Sequence, residues 1–359
     1  MNRERLVSVD AFRGATVAAM ILVNNPGDWG NIYAPLEHAA WNGWTPTDLI
    51  FPFFLFLVGA SLAFSTRDTT RAAAIRALKI FGLGFFMAFY PRFNLATVRI
   101  PGVLARIALC YFVAFLIKKH VSPRGVAIIA ALCCLGYWFL MTMVPVPGGV
   151  APNLEPETNL GAWLDRTIFG AHLWVSSKTW DPEGLLSSLP AVGTTLLGYL
   201  AGTLFRRDLA PAEILKRLVV SGTLMTASGL IWDTVFPINK SLWTSSYVLF
   251  TAGLASLILA GFYWIADVKG HKAPMKPFVI YGVNAIVVFV ASGLLAKTMG
   301  LIRIPLGIKT VSSQAYIYQT MFLSFFDPIN ASLAYAIANV LGWYAVLWWM
   351  DRRGIHIKV

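Results

Sequence analysis

Gly125-Val126-Ala127-Ile128-Ile129-Ala130-Ala131-Leu132-Cys133-Cys134-Leu135-Gly136-Tyr137-Trp138-Phe139-Leu140-Met141-Thr142-Met143-Val144 runs without a single charged residue between Arg124 and Pro145. About 20 mostly apolar residues, coiled as a helix, cross a hydrocarbon core of roughly 30 Å. Working outward from 124–145, nine further windows have the same character: 11–29, 46–66, 73–91, 101–119, 185–205, 212–232, 242–266, 277–299 and 331–350. A membrane β-barrel would alternate apolar and polar residues instead. The fold class that follows is all-α, a polytopic membrane protein with about ten transmembrane helices. Composition agrees, because the 359 residues are 57% hydrophobic and only 13% charged, which leaves too little polar surface to cover a water-soluble fold.

The formal charge of +12 does not indicate a nucleic-acid partner, since the basic residues stand in short clusters between apolar stretches and form no single face. They sort by topology instead. With the N-terminus inside, nineteen Lys and Arg fall in inner segments, including Arg3, Arg5, Arg67 and Lys358. Eight fall outside: Arg92, Arg99, Arg166, Lys178, Lys240, Lys297, Arg303 and Lys309. Enrichment of cytoplasmic loops in basic residues then places both termini in the cytoplasm. Residues 1–359 read as a single transmembrane domain with outer loops 30–45, 146–184 and 300–330. The second of these is turn-rich and ordered. The third reads as an amphipathic or partly buried helix, with an eleventh span over 312–328 as the competitor. Cys110, Cys133 and Cys134 lie within apolar runs and read as packing residues. No small-residue cleavage site follows the first apolar segment, so that helix is expected to stay in the mature protein.

The loop after the first window, Asn24-Asn25-Pro26-Gly27-Asp28-Trp29-Gly30 through Glu37-His38-Ala39-Ala40-Trp41-Asn42-Gly43-Trp44, contains no Lys or Arg. His38 is the one histidine beside a membrane-embedded polar cluster. Imidazole near neutral pKa serves as general base or acyl carrier, and the competing reading is a solvated, hydrogen-bonded side chain. No second ligand stands at metal spacing, so no metal is expected. Charged groups inside spans are costly and are usually paired or functional. Arg13 follows Asp10 at helical spacing, which allows a local ion pair. Arg106 sits about a turn and a half into the fourth window. Asn284 and Asn24 are uncharged polar groups with interhelical bonding as their alternative role.

Three blocks, Arg5-Leu6-Val7-Ser8-Val9-Asp10-Ala11-Phe12-Arg13-Gly14, His38-Ala39-Ala40-Trp41-Asn42-Gly43 with Asp48-Leu49-Ile50-Phe51-Pro52, and Arg99-Ile100-Pro101-Gly102-Val103-Leu104-Ala105-Arg106, open an ordered set. It continues through Asp181-Pro182-Glu183-Gly184-Leu185-Leu186, Asn239 to Val248, Asp267-Val268-Lys269-Gly270 and Gly282-Val283-Asn284-Ala285-Ile286. This set resembles the heparan-alpha-glucosaminide N-acetyltransferase family of transmembrane acyltransferases, over nearly the whole chain. The resemblance implies acetyl transfer from cytosolic acetyl-CoA to the amino group of a glucosamine-type sugar on the far side of the membrane, by a homodimer. It maps the essential histidine onto His38 and the neighbouring catalytic asparagine onto Asn24. The chain looks like a bacterial, stand-alone version of the membrane core, without a luminal domain ahead of the first helix, and is expected in the inner membrane among lipids with its active loop facing the periplasm.

Extended CoA, on the order of 20 Å long, bridges most of such a core. Its charged end calls for basic or polar residues, for which Arg13, Arg106, Lys276 and Asn284 are candidates. Asp181, Glu183, Lys240 and Trp243 are candidate acceptor contacts, with Asp181 and Glu183 alternatively orienting His38 or capping a turn. A rival function, an amino-sugar or peptide transporter with His38 and Arg106 along a proton path, fits the same spans and charges. An acyltransferase with another donor or acceptor is a third.

Overall fold

A computed structural model describes residues 6–65 and 69–357. Arg3, Arg5, Arg67 and Lys358 of the charge count lie outside the described residues. The chain is mostly helical: α1 (Val7–Asn24), α2 (Ile50–Leu62), α3 (Thr70–Phe89), α4 (Val103–His120), α5 (Pro123–Met143), α6 (Leu160–Phe169), α7 (Ser188–Leu204), α8 (Pro211–Asp233), α9 (Ser245–Tyr263), α10 (Lys276–Val283), α11 (Ala285–Leu301), α12 (Ser313–Ile317) and α13 (Pro328–Arg352). Helix starts carry their chemistry in the sequence. Ser122 accepts from Gly125 N ahead of Pro123, and Asp327 accepts from Asn330 N ahead of Pro328; each satisfies an N–H that the first turn leaves open.

Every apolar window carries a helix, but not every helix is long and apolar enough to cross a membrane by itself. Among the described residues six are: α1, α3, α5, α8, α13, and α9 with its π-helical extension to Val268. The second window opens as a 3-10 turn, Pro46–Leu49, and leaves α2 only 13 residues. The ninth is broken at Asn284, where α10 and α11 meet at 65°.

Segment 300–330, expected to be helical, is a correction. It folds as an antiparallel hairpin of β1 (Arg303–Leu306) and β2 (Lys309–Ser312), followed by five-residue α12 and a π turn, Tyr318–Phe322. Pro305 denies a helix its N–H, and Gly307 at φ 60° closes the two-residue turn between strands holding β-branched Ile304, Thr310 and Val311. The fold is therefore not purely α, and no helix of spanning length covers 312–328.

The chain divides into two compact, interleaved units. The first is Met1–Ala39, Thr45–Ile50 and Ile265–Val359, and the second is Ala40–Trp44 and Phe51–Trp264. In the first, Asp267 caps α1 by accepting from Val7 N and Ser8 N at 3.2 and 3.1 Å. Backbones of α1 and α10 touch at Gly14, where a Cβ would lie 1.6 Å from the Phe278 carbonyl oxygen. Beyond the C-terminal end of α1 the chain is tied by Gly27 N to Ser332 O, and by Gln314 Nε2 to Pro26 O, both at 3.2 Å. The second unit runs from α2 to α9 and contains the ordered excursion 146–184 with α6. Cys110, Cys133 and Cys134 are free and buried there.

Candidate functional site

His38 and Asn24 belong to the first unit. Asn24 closes α1 with an exposed side chain, and Asn25 beside it turns inward to Ile21 O at 2.8 Å. His38 lies on the loop just ahead of a helix start built by Thr45-Pro46-Thr47-Asp48. Thr45 and Asp48 form a reciprocal capping box, and Pro46 stands at the first position. The Asp48 carboxylate is then placed to do two things. Oδ2 accepts from Ala39 N at 3.0 Å, Thr45 N at 3.1 Å and Thr45 Oγ1 at 3.2 Å, and Oδ1 meets His38 Nδ1 at 2.6 Å. Asp48 is buried, with 1% of its side chain exposed, whereas His38 is 53% exposed.

A carboxylate only accepts, so Nδ1 of His38 donates, and Nε2 is the ring nitrogen able to take a proton or an acyl group. The exposed imidazole is thereby held in one tautomer by a buried anion. Asp48 is the residue that reading the sequence missed. Its Thr-x-x-Asp signal is visible there, but as a helix start, and nothing local says that the carboxylate also reaches ten residues back.

Two of the remaining candidates of the first unit, Arg13 and Asn284, are already bonded. Arg13 Nη1 donates to Asp10 Oδ1 at 3.0 Å and to Gly282 O at 3.3 Å, the local ion pair that the spacing allows. Asn284 is buried, its amide donating to Ile355 O at 3.2 Å and accepting from Ile357 N at 3.0 Å. Lys276 is exposed at the start of α10.

In the second unit Asp181 and Glu183 converge on Arg99. Asp181 accepts from Nε at 2.8 Å and from Nη2 at 2.5 Å, and Glu183 also accepts from Nη2. Burial alone would lower the Arg99 pKa, but the two carboxylates outweigh it and hold it above the usual arginine value. The same loop forms a turn through Gly184 N to Asp181 O at 2.9 Å. It hands the Gly184 carbonyl to Arg106 Nη2 at 3.0 Å. Trp243 lies over that guanidinium, its ring centre 5.1 Å from Cζ, and Lys240 is half-buried on the turn leading to it. The structure thus joins Arg106 with Trp243, and Asp181 with Glu183.

Asp165 of α6 fastens this loop from beneath. Its carboxylate accepts from Leu185 N at 2.9 Å and Asp181 N at 3.4 Å. Burial raises its pKa from 3.8 to about 6 in spite of those bonds. Because the folded pKa lies above the unfolded one, the proton on Asp165 stabilises the fold fully below about pH 3.8, and that contribution is lost as pH rises through 6. Relative to Asp165→Asn, wild type is expected to lose on the order of 3 kcal/mol between pH 4 and 7. Parallel pH-dependent melting curves of the two purified proteins in detergent check this; parallel curves at every pH would refute it.

The family model for the heparan-alpha-glucosaminide N-acetyltransferase catalytic region matches residues 5–227. The human heparan-alpha-glucosaminide N-acetyltransferase is 28% identical over 351 residues, covering 80% of this chain and 52% of the relative. The mouse protein of the same name is 28% identical over 355 residues, covering 80% and 53%. The chain spans about half the length of the curated relatives it matches. With a family match over well more than half of its residues, His38, Asp48, Arg99 and Arg106 among them, the chain belongs to the heparan-alpha-glucosaminide N-acetyltransferase catalytic family.

Proposed function

We propose that this protein is a transmembrane N-acetyltransferase that moves the acetyl group of cytosolic acetyl-CoA to the amino group of a glucosamine-type sugar on the periplasmic face of a bacterial inner membrane. The observation that carries the reading is the half-exposed imidazole of His38 backed by the buried Asp48 carboxylate at 2.6 Å, in a loop free of Lys and Arg. The distribution of Lys and Arg, which favours ten spans with both termini cytoplasmic, supports an outward-facing loop. The absence of positive charge suits a sugar that arrives as an ammonium ion.

Nε2 of His38 removes one proton from the sugar ammonium, and the freed amine attacks the thioester carbonyl. Asn24 donates a hydrogen bond to the developing oxyanion, a contact worth about 3 kcal/mol in other enzymes. Collapse of the tetrahedral intermediate breaks the C–S bond, and the second amine proton leaves as the amide forms. That proton passes to the departing sulfur, so CoA leaves as the thiol, and the proton taken by His38 Nε2 is released to solvent. In the carrier variant of the scheme His38 Nε2 itself is acetylated before the amine attacks. Arg13, Lys276, Asn284 and Arg106 are assigned to the donor. Asp181, Glu183, Lys240 and Trp243 are assigned to the acceptor, the carboxylates acting through Arg99. The active species is a homodimer.

The test is a mass-spectrometric assay of detergent-purified protein with acetyl-CoA and glucosamine, scoring N-acetylglucosamine and free CoA together. Equal yields of the two are expected. CoA neither bound nor consumed with any amino sugar would end this reading and favour transport.

A further inference from the structure

Arg106 is 2% exposed, and its five N–H donors are poorly spent. Nη2 donates to Gly184 O and to Ser187 Oγ, while Nε and Nη1 have no hydrogen-bond partner among the described residues. The carboxylates that would ordinarily pair with it, Asp181 and Glu183, are taken by Arg99. Buried donors left open are costly, and in native structures they mark a place where a water or ligand completes the set. Here an indole face fills that place. Trp243 covers the guanidinium, and cation–π contact offsets only part of what hydrogen bonds would supply.

Trp243 is itself held under tension. It is 1% exposed and sits at φ 54°, in the left-handed region that a bulky residue rarely adopts. Phe51 and Tyr247 meet its ring edge-on at 5.0 and 5.3 Å. One polar tether, Nε1 to Thr194 Oγ1 at 3.1 Å, fixes its direction.

We propose that Arg106 is a latent oxygen-binding site closed by Trp243, and that its ligand is a carbonyl oxygen of the thioester donor, admitted when the indole swings aside. This rests on the acetyl-transfer reading and deepens its donor site. Glu183, Asp181 and Asp165 all interact electrostatically with Arg106 and already offset its charge, so the site needs no anion, and its open N–H groups suit a neutral carbonyl oxygen.

The closed lid lowers apparent affinity by the fraction of time it is open, so loosening it should tighten binding. The experiment is calorimetric titration of the full detergent-purified chain with acetyl-CoA and, separately, CoA. The proteins compared are wild type, Thr194→Val, Trp243→Phe, and Thr194→Val combined with Arg106→Gln. Either single change removes the tether, and acetyl-CoA is expected to bind roughly three- to tenfold more tightly, a gain that damage to the fold does not produce. The gain should vanish in the double variant. A parallel gain for CoA assigns the oxygen to a pantetheine amide, and a gain for acetyl-CoA alone assigns it to the acetyl carbonyl. If wild type binds acetyl-CoA but neither single change tightens it, or if the gain survives loss of Arg106, the lid is overturned. Failure of wild type to bind either compound overturns the acetyl-transfer reading with it.

Discussion

Asp48→Asn is expected to lower kcat for amino-sugar acetylation by roughly 10²–10⁴-fold, with KM much less affected, and His38→Ala to abolish turnover. The asymmetry follows from the site. His38 is more than half exposed, so solvent does little to fix its ring, and the carboxylate oxygen 2.6 Å from Nδ1 is what selects the tautomer with a basic Nε2. An amide at 48 can present N–H to Nδ1 and favour the opposite tautomer, in which Nε2 carries the proton. Asp48 also builds the helix start through Thr45 and Ala39, so the variant should lose about 1 kcal/mol of stability as well. Thr47→Val separates the two effects. Thr47 is buried in the same turn and donates to Pro35 O at 3.2 Å without touching the imidazole; its loss should lower the melting point and leave kcat near wild type. Steady-state kinetics on the three variants decide the matter. An Asp48→Asn enzyme within a few-fold of wild type would show that His38 needs no carboxylate partner.

What could be seen in the sequence was whatever chemistry is local. Each long apolar run became a helix, and Asp10 with Arg13 made the pair that their spacing offers. The parts that were hidden depend on contacts distant along the chain. The ninth window breaks at Asn284, whose amide is matched by Ile355 and Ile357, more than seventy positions away. Asp48 declares a helix start in its own neighbourhood, and only the folded loop shows that it also serves His38. Asp181 and Glu183 announce a turn, but their shared partner Arg99 stands about eighty residues earlier. In the hairpin at 303–312 the local signals were present, Pro305, Gly307 and the β-branched residues, yet moderate hydrophobicity over the longer segment outweighed them in a helical reading. Windowed hydropathy counts apolar residues without regard to their conformation, so a short hairpin and a helix can give it the same value.

Gly198→Ala is expected to destabilise the protein by roughly 3 kcal/mol, although alanine is the better helix former by about 1 kcal/mol. A Cβ at 198 would lie 2.0 Å from the carbonyl oxygen of Phe56 and 2.7 Å from its carbon. Those are backbone atoms, so no rotamer change relieves the clash and α7 must move bodily off α2. The contact is mutual, since a Cβ on Gly59 would fall 1.8 Å from Thr195 O. Between helices in a membrane, where burial adds little drive, this closeness of backbones is itself a main source of attraction. Its trace in the sequence is the four-residue spacing of Gly198 and Gly202. Gly136→Ala, on α5 where a new Cβ meets nothing within 4 Å, should be neutral or slightly stabilising and so controls for the substitution itself. Heating each variant in detergent and following the folded peak by size exclusion reads the difference; a Gly198→Ala protein melting with Gly136→Ala would refute the packing argument. The consequence reaches the chemistry, because α7 carries Thr194, the tether of Trp243, and begins beside Ser187, a partner of Arg106. An α7 displaced from α2 cannot keep both in place, so surviving Gly198→Ala protein should also bind the acetyl donor abnormally.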